Sequence, residues 1–276
     1  MKKKFKLGFM QGRLSPIVRG RIQAFPFGDW KKEFLLAKKI NLKIMEWTID
    51  MYNYQKNPIL TTRGIQEITR LKRKYKIEIN SITCDFLMEH PFYKKKINTS
   101  YKNKFKFFLK KCSDLKIKTI VVPLVDKGAV KNKKEEKNVI NFFTGIKDFL
   151  RKKNLTVAFE SDYGPKKLLQ FIKKFDKKIF GINYDMGNSS GLNHDYKKEI
   201  EMYFNRILNV HIKDKDRSNK TVPLFSGKTE ILKILKLLFK KGYKGNYILQ
   251  PARSHNEHFN MMKNYSTILN NYVKNI

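Results

Sequence analysis

Short runs of apolar residues alternate along the chain with longer segments in which apolar residues recur every three or four positions. The short runs are typical of buried strands, and the longer segments are typical of amphipathic helices that pack on one face. Residues 5–10 predict the first strand, and Trp30–Lys39 predicts the helix that follows it. Because this alternation continues from one end of the chain to the other, it predicts an α/β protein built on a parallel sheet.

Seven more pairs of a strand and a helix follow the first pair. We predict strands over residues 42–47, 77–84, 117–124, 155–159, 179–184, 207–212 and 247–249, and helices over residues 61–75, 101–115, 135–150, 165–175, 196–204, 229–240 and 258–273. Eight such units without a low-complexity linker predict a single domain over residues 1–276, a (β/α)8 TIM barrel with eight parallel strands. An open doubly wound sheet is the alternative, although Gly8 and Gly12 are too far apart for its dinucleotide-binding fingerprint.

Polar residues stand where four of the later strands end. They are Glu160, Asp185, His211 and Gln250. Any one of them alone could be a helix cap or a loop residue, but neighbouring strands of a barrel end at one mouth, where such enzymes build their active sites. Two carboxylates, an imidazole and an amide oxygen suit a divalent metal, with Mn²⁺ or Mg²⁺ expected first and Zn²⁺ as the alternative.

The formal net charge of +36 raises the question of nucleic-acid binding. Lysines outnumber arginines 50 to 10 and are spread over almost every predicted helix, whereas nucleic-acid sites usually also use arginine. We therefore expect no specific nucleic-acid partner, only weak adhesion to polyanions that salt removes. Two cysteines exclude a disulfide scaffold, and no apolar run is long enough to span a bilayer, so we expect a soluble cytoplasmic protein without a membrane partner.

Short motifs surround the polar strand ends, and others occur near the start of the chain. They are Phe159-Glu160-Ser161, Asp185-Met186-Gly187-Asn188, His211-Ile212-Lys213-Asp214 with Arg217, Gly242-Tyr243-Lys244-Gly245 before Gln250, and the opening segments Met10-Gln11-Gly12-Arg13-Leu14-Ser15 and Ile22-Gln23-Ala24-Phe25-Pro26. Together they resemble the xylose isomerase-like TIM barrel family, which contains sugar and sugar-phosphate isomerases and epimerases. The resemblance covers essentially the whole chain, and its specificity lies in the order and spacing of the motifs.

The resemblance implies one divalent metal held by Glu160, Asp185, His211 and the residue at position 250, with a ligand carboxylate acting as the proton-transfer base. The family's usual last ligand is glutamate, whereas this chain has Gln250. An amide cannot exchange a proton at neutral pH, although its carbonyl oxygen can still bind a metal or a hydroxyl. We therefore expect Glu160 to act as the single catalytic base.

Residues that follow the His211 strand are candidates for contact with the substrate. The resemblance implies that Lys213, Asp214 and Arg217 line the substrate side, although Lys213 and Asp214 could instead form a surface ion pair. If the reaction is an epimerisation, Lys213 or Glu46 is the candidate for the replacement acid.

Five residues near other strand ends are further candidates. Arg13 and Arg253 could receive a phosphate or a carboxylate through bidentate contacts. Trp47, beside Glu46, could stack against a sugar ring. The alternative is that Trp47 is a core residue and Glu46 caps a helix. His90 lies in the loop after the third strand and could border the pocket.

The leading hypothesis is a metal-dependent isomerase or epimerase that acts on a small sugar or sugar phosphate and can form a homo-oligomer. A lyase or dehydratase acting on a sugar-derived acid is an alternative, because its reaction begins with the same proton removal. A non-catalytic sugar binder that lost its activity through the change at position 250 is another. An apurinic-site endonuclease is disfavoured because its zinc cluster needs many histidines. This chain has 5 histidines, and Asn188 stands where the nuclease branch has one.

Overall fold

The strands form one closed barrel and one small hairpin. A computed structural model describes residues 5–94 and 99–276. The strands are β1 (Leu7–Met10), β2 (Ile44–Ile49), β3 (Glu78–Cys84), β4 (Thr119–Leu124), β5 (Thr156–Ser161), β6 (Phe180–Asp185), β7 (Ile207–Ile212), β8 (Asp214–Lys215), β9 (Thr221–Val222) and β10 (Asn246–Leu249). Strands β1 to β7 and β10 pair in parallel, with β10 between β7 and β1, while β8 and β9 pair antiparallel as a separate hairpin. This confirms the predicted eight-stranded parallel barrel and excludes the open sheet.

Helices follow each strand of the barrel. They are α1 (Trp30–Lys39), α2 (Thr62–Tyr75), α3 (Asp85–Glu89), α4 (Thr99–Asp114), α5 (Lys133–Thr144), α6 (Lys147–Lys152), α7 (Pro165–Lys173), α8 (Met186–Gly191), α9 (Tyr196–Tyr203), α10 (Ile231–Lys240) and α11 (His258–Lys274). Across the described ranges, no helix is both long and apolar enough to cross a bilayer.

The prediction of one helix over residues 135–150 is wrong, because the structure has two helices there, α5 and α6. The break falls at Gly145, whose N–H donates to the carbonyl of Asn141 as α5 ends. Glycine costs about 1 kcal/mol relative to alanine inside a helix, so it favours an end at this position. Helices α3 and α8 and the hairpin were not predicted, because segments of two to six residues carry no readable periodicity.

Apolar side chains fill two separate regions. The larger cluster lies between the barrel and the helices and includes Trp47, whereas the smaller consists of Met10, Ile44 and Ile248. Side chains alternate between the two faces of a strand. In β2, Ile44 and Glu46 therefore face the barrel interior, and Trp47 faces the helices.

Many other interior positions carry polar side chains that are almost completely shielded from solvent. They are Glu46, Thr48, Ser81, Thr83, Asn183, Asn209 and His211. Buried polar groups are stable only when they are hydrogen-bonded. The interior of the barrel therefore contains a hydrogen-bonded network instead of a continuous apolar core.

Candidate active site

The imidazole of His211 lies between two sets of carboxylates. Its Nδ1 is 3.4 Å from Oε2 of Glu160 and 3.8 Å from Oδ2 of Asp185. Its Nε2 is 2.7 Å from Oε1 of Glu46. These residues come from β2, β5, β6 and β7, and all of them are buried. The parallel strands thus bring together groups that are far apart in the sequence.

Glu46 binds this imidazole on its Nε2 side, which is its lower side. Its Oε1 accepts hydrogen bonds from Thr83 at 2.5 Å and from His211, and its Oε2 accepts from Ser81 at 2.6 Å and from Asn209 at 2.8 Å. Because a carboxylate can only accept here, the Nε2 of His211 must carry a hydrogen. In the neutral imidazole this leaves the lone pair on Nδ1, which accepts from Nδ2 of Asn183 at 3.1 Å and lies near Glu160 and Asp185.

Two asparagines orient the carboxylate of Glu160. Asn183 donates through Nδ2 to Oε2 of Glu160 at 2.7 Å, and Asn188 donates through Nδ2 to Oε1 at 2.6 Å. The backbone N–H of Asn188 also donates to Oδ1 of Asp185 at 2.8 Å, which places Asp185 at the start of α8 as its cap. Asn188 therefore fixes the relative positions of Glu160 and Asp185.

Lys213 supplies positive charge beside these carboxylates. Its Nζ donates to Oδ2 of Asp185 at 3.4 Å and to Oδ1 of Asn188 at 3.1 Å. The lysine packs over Gly187, where an added Cβ would lie 2.7 Å from Cγ of Lys213, so only glycine allows this approach. Burial acts to raise the pKa of Asp185, but Lys213 and His211 outweigh it and leave that pKa below its ordinary value.

The donor set fits a divalent cation. Glu160, Asp185 and His211 each offer one ligand atom, and these atoms all lie within 4.8 Å of one another. Burial alone would lower the pKa of His211, yet Glu46, Asp185 and Glu160 raise it well above its ordinary value, so the site favours added positive charge. A doubly charged ion with Lys213 would balance the three carboxylates. Oxygen and imidazole ligands suit Mn²⁺, Mg²⁺ or Zn²⁺.

Gln250 directly follows β10 at the same mouth of the barrel. Its backbone N–H donates to the carbonyl of Ile212 at 2.9 Å, which ties it to the end of β7. Its side-chain Oε1 is buried and has no hydrogen-bond partner within the part of the chain that the structure describes. An unpaired buried carbonyl costs about 1–3 kcal/mol, and a metal ion or a substrate hydroxyl would remove that cost.

A cavity of about 460 Å³ opens above these groups. This volume is in the range of small-molecule sites. Its walls include Arg13, Asp85, Glu160, Asn188, Lys213 and Gln250. The proposed metal ligands Glu160 and Gln250 therefore face a space that a sugar can enter.

Glu46 and Trp47 do not line this cavity. Glu46 lies beneath His211, fully buried, where it cannot touch a substrate. Trp47 packs against the rings of Phe25 and Trp30 at centroid distances of 5.4 and 5.7 Å, in the layer between barrel and helices. Trp47 is thus a core residue, and Glu46 can act only through His211.

Arg13 lines the cavity, whereas Arg253 does not. Arg13 donates through Nε to the carbonyl of Pro251 at 2.9 Å and through Nη2 to Gln23 at 2.9 Å. Burial and then the charge of Arg253 lower the pKa of Arg13 to about 9. Arg253 donates to the carbonyl of Ala24 at 3.2 Å, so both guanidinium groups hold the loop after β1 against the end of β10.

The structure does not bring Asp214, Arg217 or His90 to the cavity wall. Asp214 is fully buried and accepts hydrogen bonds from backbone N–H groups of Gly227 and Thr229 at 2.9 and 3.0 Å, so it anchors the loop after the hairpin. Arg217 and His90 are exposed. Other residues of the hairpin region, including Lys215 and Lys220, reach the cavity instead.

Sequence reasoning missed the structural roles of Asn183 and Asn188 and did not consider the side chain of Asp85. One signal was available, because Asn183 lies two residues before Asp185 in a strand and must face the same side. The signal that identified Glu160 and Asp185 was also available for Asp85, which directly follows the predicted strand over residues 77–84.

Comparison with known proteins agrees with this fold. Residues 34–265 match the family model described as xylose isomerase-like TIM barrel. No curated protein matches the sequence. A xylose isomerase domain protein from Planctomyces limnophilus is 14% identical, with a TM-score of 0.76 over 99% of this chain and 98% of that one.

Two further solved structures have the same fold. The IolI protein, solved with a zinc atom, is 14% identical, with a TM-score of 0.71 over 96% of this chain and 97% of that one. The D-allulose 3-epimerase of Methylomonas sp., solved in complex with D-allulose, is 12% identical, with a TM-score of 0.66 over 94% of this chain and 89% of that one. At such low identity the likeness shows the fold alone.

Proposed function

The chain belongs to the xylose isomerase-like TIM barrel family, and on this premise we propose that it is a metal-dependent isomerase of a sugar or sugar phosphate. The observation that carries the proposal is the group of ligand atoms of Glu160, Asp185 and His211 beneath a cavity of sugar size. The zinc atom in the IolI structure and the D-allulose in the Methylomonas epimerase support the same kind of site.

Glu160, Asp185, His211 and Gln250 would hold the metal. When bound, a divalent ion polarises the sugar oxygens and so lowers the cost of removing a proton from the adjacent carbon. Glu160 removes that proton, because it is the proposed ligand carboxylate that faces the cavity. Asn183 and Asn188 hold both of its oxygens in position.

Gln250 decides between two forms of the reaction. A two-base epimerase needs one carboxyl group on each face of the substrate, and an amide at position 250 cannot serve as one of them. We therefore propose that Glu160 moves a proton between adjacent carbons on a single face, through an enediol, which interconverts an aldose and a ketose. Glu46 is too deeply buried to be the second acid, and Lys213 already donates to Asp185 and Asn188.

The charge of the cavity wall is compatible with a phosphorylated sugar. Arg13, Lys213, Lys215 and Lys220 all line it. The nitrogens of Arg13, Lys213 and Lys215 already donate to protein acceptors, so the exposed Lys220 is the group that can turn toward a phosphate. A lower KM for a sugar phosphate than for the free sugar would support this part of the proposal.

The test is product analysis by NMR after incubation with a panel of aldoses, ketoses and their phosphates in the presence of Mn²⁺. Once a substrate is found, the reaction is repeated in deuterated water. Exchange at a single carbon together with movement of the carbonyl group supports the isomerase. Inversion at one carbon with the carbonyl group unmoved contradicts it.

Replacing Glu160 tests its role as the base. Glu160→Gln should lower kcat by about 10²–10⁴-fold, because the amide cannot take up the proton. It should retain most of the affinity for Mn²⁺ in calorimetric titration, because its carbonyl oxygen can still bind the ion. The matched control is Glu201→Gln on the exposed face of α9, which should match wild type. An active Glu160→Gln enzyme would mean that another residue is the base.

A further inference from the structure

Asp85 is a buried carboxyl group in the cavity wall that the proton transfer at carbon does not use. It follows the last residue of β3, is only 5% exposed, and faces the same cavity as Glu160 and Gln250. Its Oδ2 has no hydrogen-bond partner among residues 5–94 and 99–276. A buried carboxyl oxygen without a partner is costly, so its position next to an open cavity points to a ligand.

The surroundings of Asp85 favour the protonated form of its carboxyl group. Burial is the largest effect that raises its pKa well above the ordinary value, and the carboxylates of Glu89, Asp50 and Glu160 raise it further. The amide of Gln23 acts in the opposite direction but does not outweigh them. A protonated carboxyl group is a hydrogen-bond donor as well as an acceptor.

Other residues of the cavity wall cannot supply this function. Gln250 has an amide, which neither gives nor takes a proton at neutral pH. The ammonium of Lys213 is engaged with Asp185 and Asn188. Asp126 is exposed to solvent and lies outside the shielded part of the cavity wall. Among the described residues, Asp85 is thus the buried acid that faces the cavity beside Glu160.

We infer that Asp85 is a second catalytic residue, which carries the hydroxyl proton between the two sugar oxygens while Glu160 carries the carbon-bound proton. This inference rests on the proposed function. It assigns to this chain a pair of carboxyl groups, one ionised at the carbon and one protonated at the oxygens. Gln250 then needs no proton-transfer role.

The two transfers balance. Glu160 takes the proton from C2 of the aldose, the C–H electron pair forms the C1–C2 double bond, and O1 takes the proton of Asp85, which gives the enediol and the Asp85 carboxylate. Asp85 then takes the proton from O2 as the C2 carbonyl forms, and Glu160 returns its proton to C1. Both residues end in their starting protonation states, and no further reactant is needed.

The test compares Asp85→Asn with Asp85→Glu and with Asp162→Asn. Asp162 is a matched control because it is half-buried and has a pKa raised to about 6, chiefly by burial, but it does not line the cavity. Asp85→Asn should lower kcat by about 10²–10⁴-fold with little change in KM. Asp85→Glu should recover part of the loss, and Asp162→Asn should match wild type.

Infrared difference spectra between wild type and Asp85→Asn at neutral pH provide a second measurement that needs no substrate. The wild-type protein should show one additional band of a protonated carboxyl group, and absence of this band would overturn the inference. An active wild type with an equally active Asp85→Asn variant would also overturn it and leave the proposed function intact. A wild type that converts no sugar of the panel would overturn the proposed function, and this inference with it.

Discussion

Buried polar groups beneath His211 and in the cavity wall differ in their number of hydrogen-bond partners. Below the imidazole, the oxygens of Glu46 accept four hydrogen bonds. Burial acts to raise the pKa of Glu46, but His211, Ser81 and Thr83 outweigh it and lower that pKa. In the cavity wall, Oδ2 of Asp85 and Oε1 of Gln250 have no partner within the described part of the chain. These groups are almost equally buried, so they differ mainly in their number of hydrogen-bond partners.

The number of partners distinguishes groups that position their neighbours from groups that can bind a ligand. A group whose lone pairs are all used can only hold its neighbours, as Glu46 holds the tautomer and orientation of His211. A group with an unused lone pair in a cavity wall costs about 1–3 kcal/mol until a ligand engages it. The interior network therefore supports the site, and the cavity wall is the part that binds.

The largest effect is expected among the carboxylates on the Nδ1 side of His211, from Asp185→Ala. This change removes a carboxylate from the group of three ligands, so stoichiometric binding of Mn²⁺ should be lost. The fold should persist, because the loss of the α8 cap costs only about 1 kcal/mol. Metal analysis after dialysis and thermal unfolding would measure the two quantities. Asp114→Ala at the exposed end of α4 is the control, and a metal-loaded Asp185→Ala protein would place the site elsewhere.

A smaller effect is expected on the lower side, from Glu46→Ala. It leaves His211, Ser81 and Asn209 without their acceptor, so the free energy of unfolding of the metal-free protein should fall by about 3–5 kcal/mol. Loss of the group that orients His211 should also weaken Mn²⁺ binding by about 10–100-fold.

Urea unfolding and calorimetric titration measure the two effects of the change at Glu46. Glu46→Gln keeps the shape and one acceptor oxygen, so it should lose less of both and carries the test if Glu46→Ala fails to fold. Unchanged stability and affinity in both variants would show that Glu46 does not position His211.

The barrel and the convergence of Glu160, Asp185 and His211 could be predicted, because apolar strand runs locate the strand ends and barrel closure brings those ends together. The direction of Trp47 could not be predicted. Strands buried on both faces appear in the sequence as continuous apolar runs. The pattern therefore does not show whether Glu46 or Trp47 points into the barrel.

Residues outside the regular strands were beyond prediction for a different reason. The hairpin that brings Lys215 to the cavity has strands of two residues. Such short elements are determined by tertiary contacts. Arg217, in contrast, remains exposed although it is only two residues from Lys215.

Glu33 extends the comparison to a carboxyl group with an intermediate number of partners. It is fully buried in α1, and its Oε1 accepts the N–H groups of Gly12 and Leu14 at 2.8 and 3.0 Å, while its Oε2 has no partner in the described residues. Burial dominates over these hydrogen bonds and over Arg253 and Arg13, and raises the pKa of Glu33 from 4.5 to about 8. Two donors are thus too few to keep this carboxyl group ionised at neutral pH.

The pKa of Glu33 predicts the smallest of the three effects. A folded-state pKa above the unfolded one gives stability that is complete below pH 4.5 and is lost as the pH rises toward about 8. Glu33→Gln has no proton to lose, so the free energy of unfolding of wild type relative to this variant should fall by about 2–3 kcal/mol between pH 5 and 7. Urea unfolding of both proteins at several pH values measures this difference. If the two stability curves run parallel, Glu33 is ionised in the folded protein, and its two backbone donors are sufficient after all.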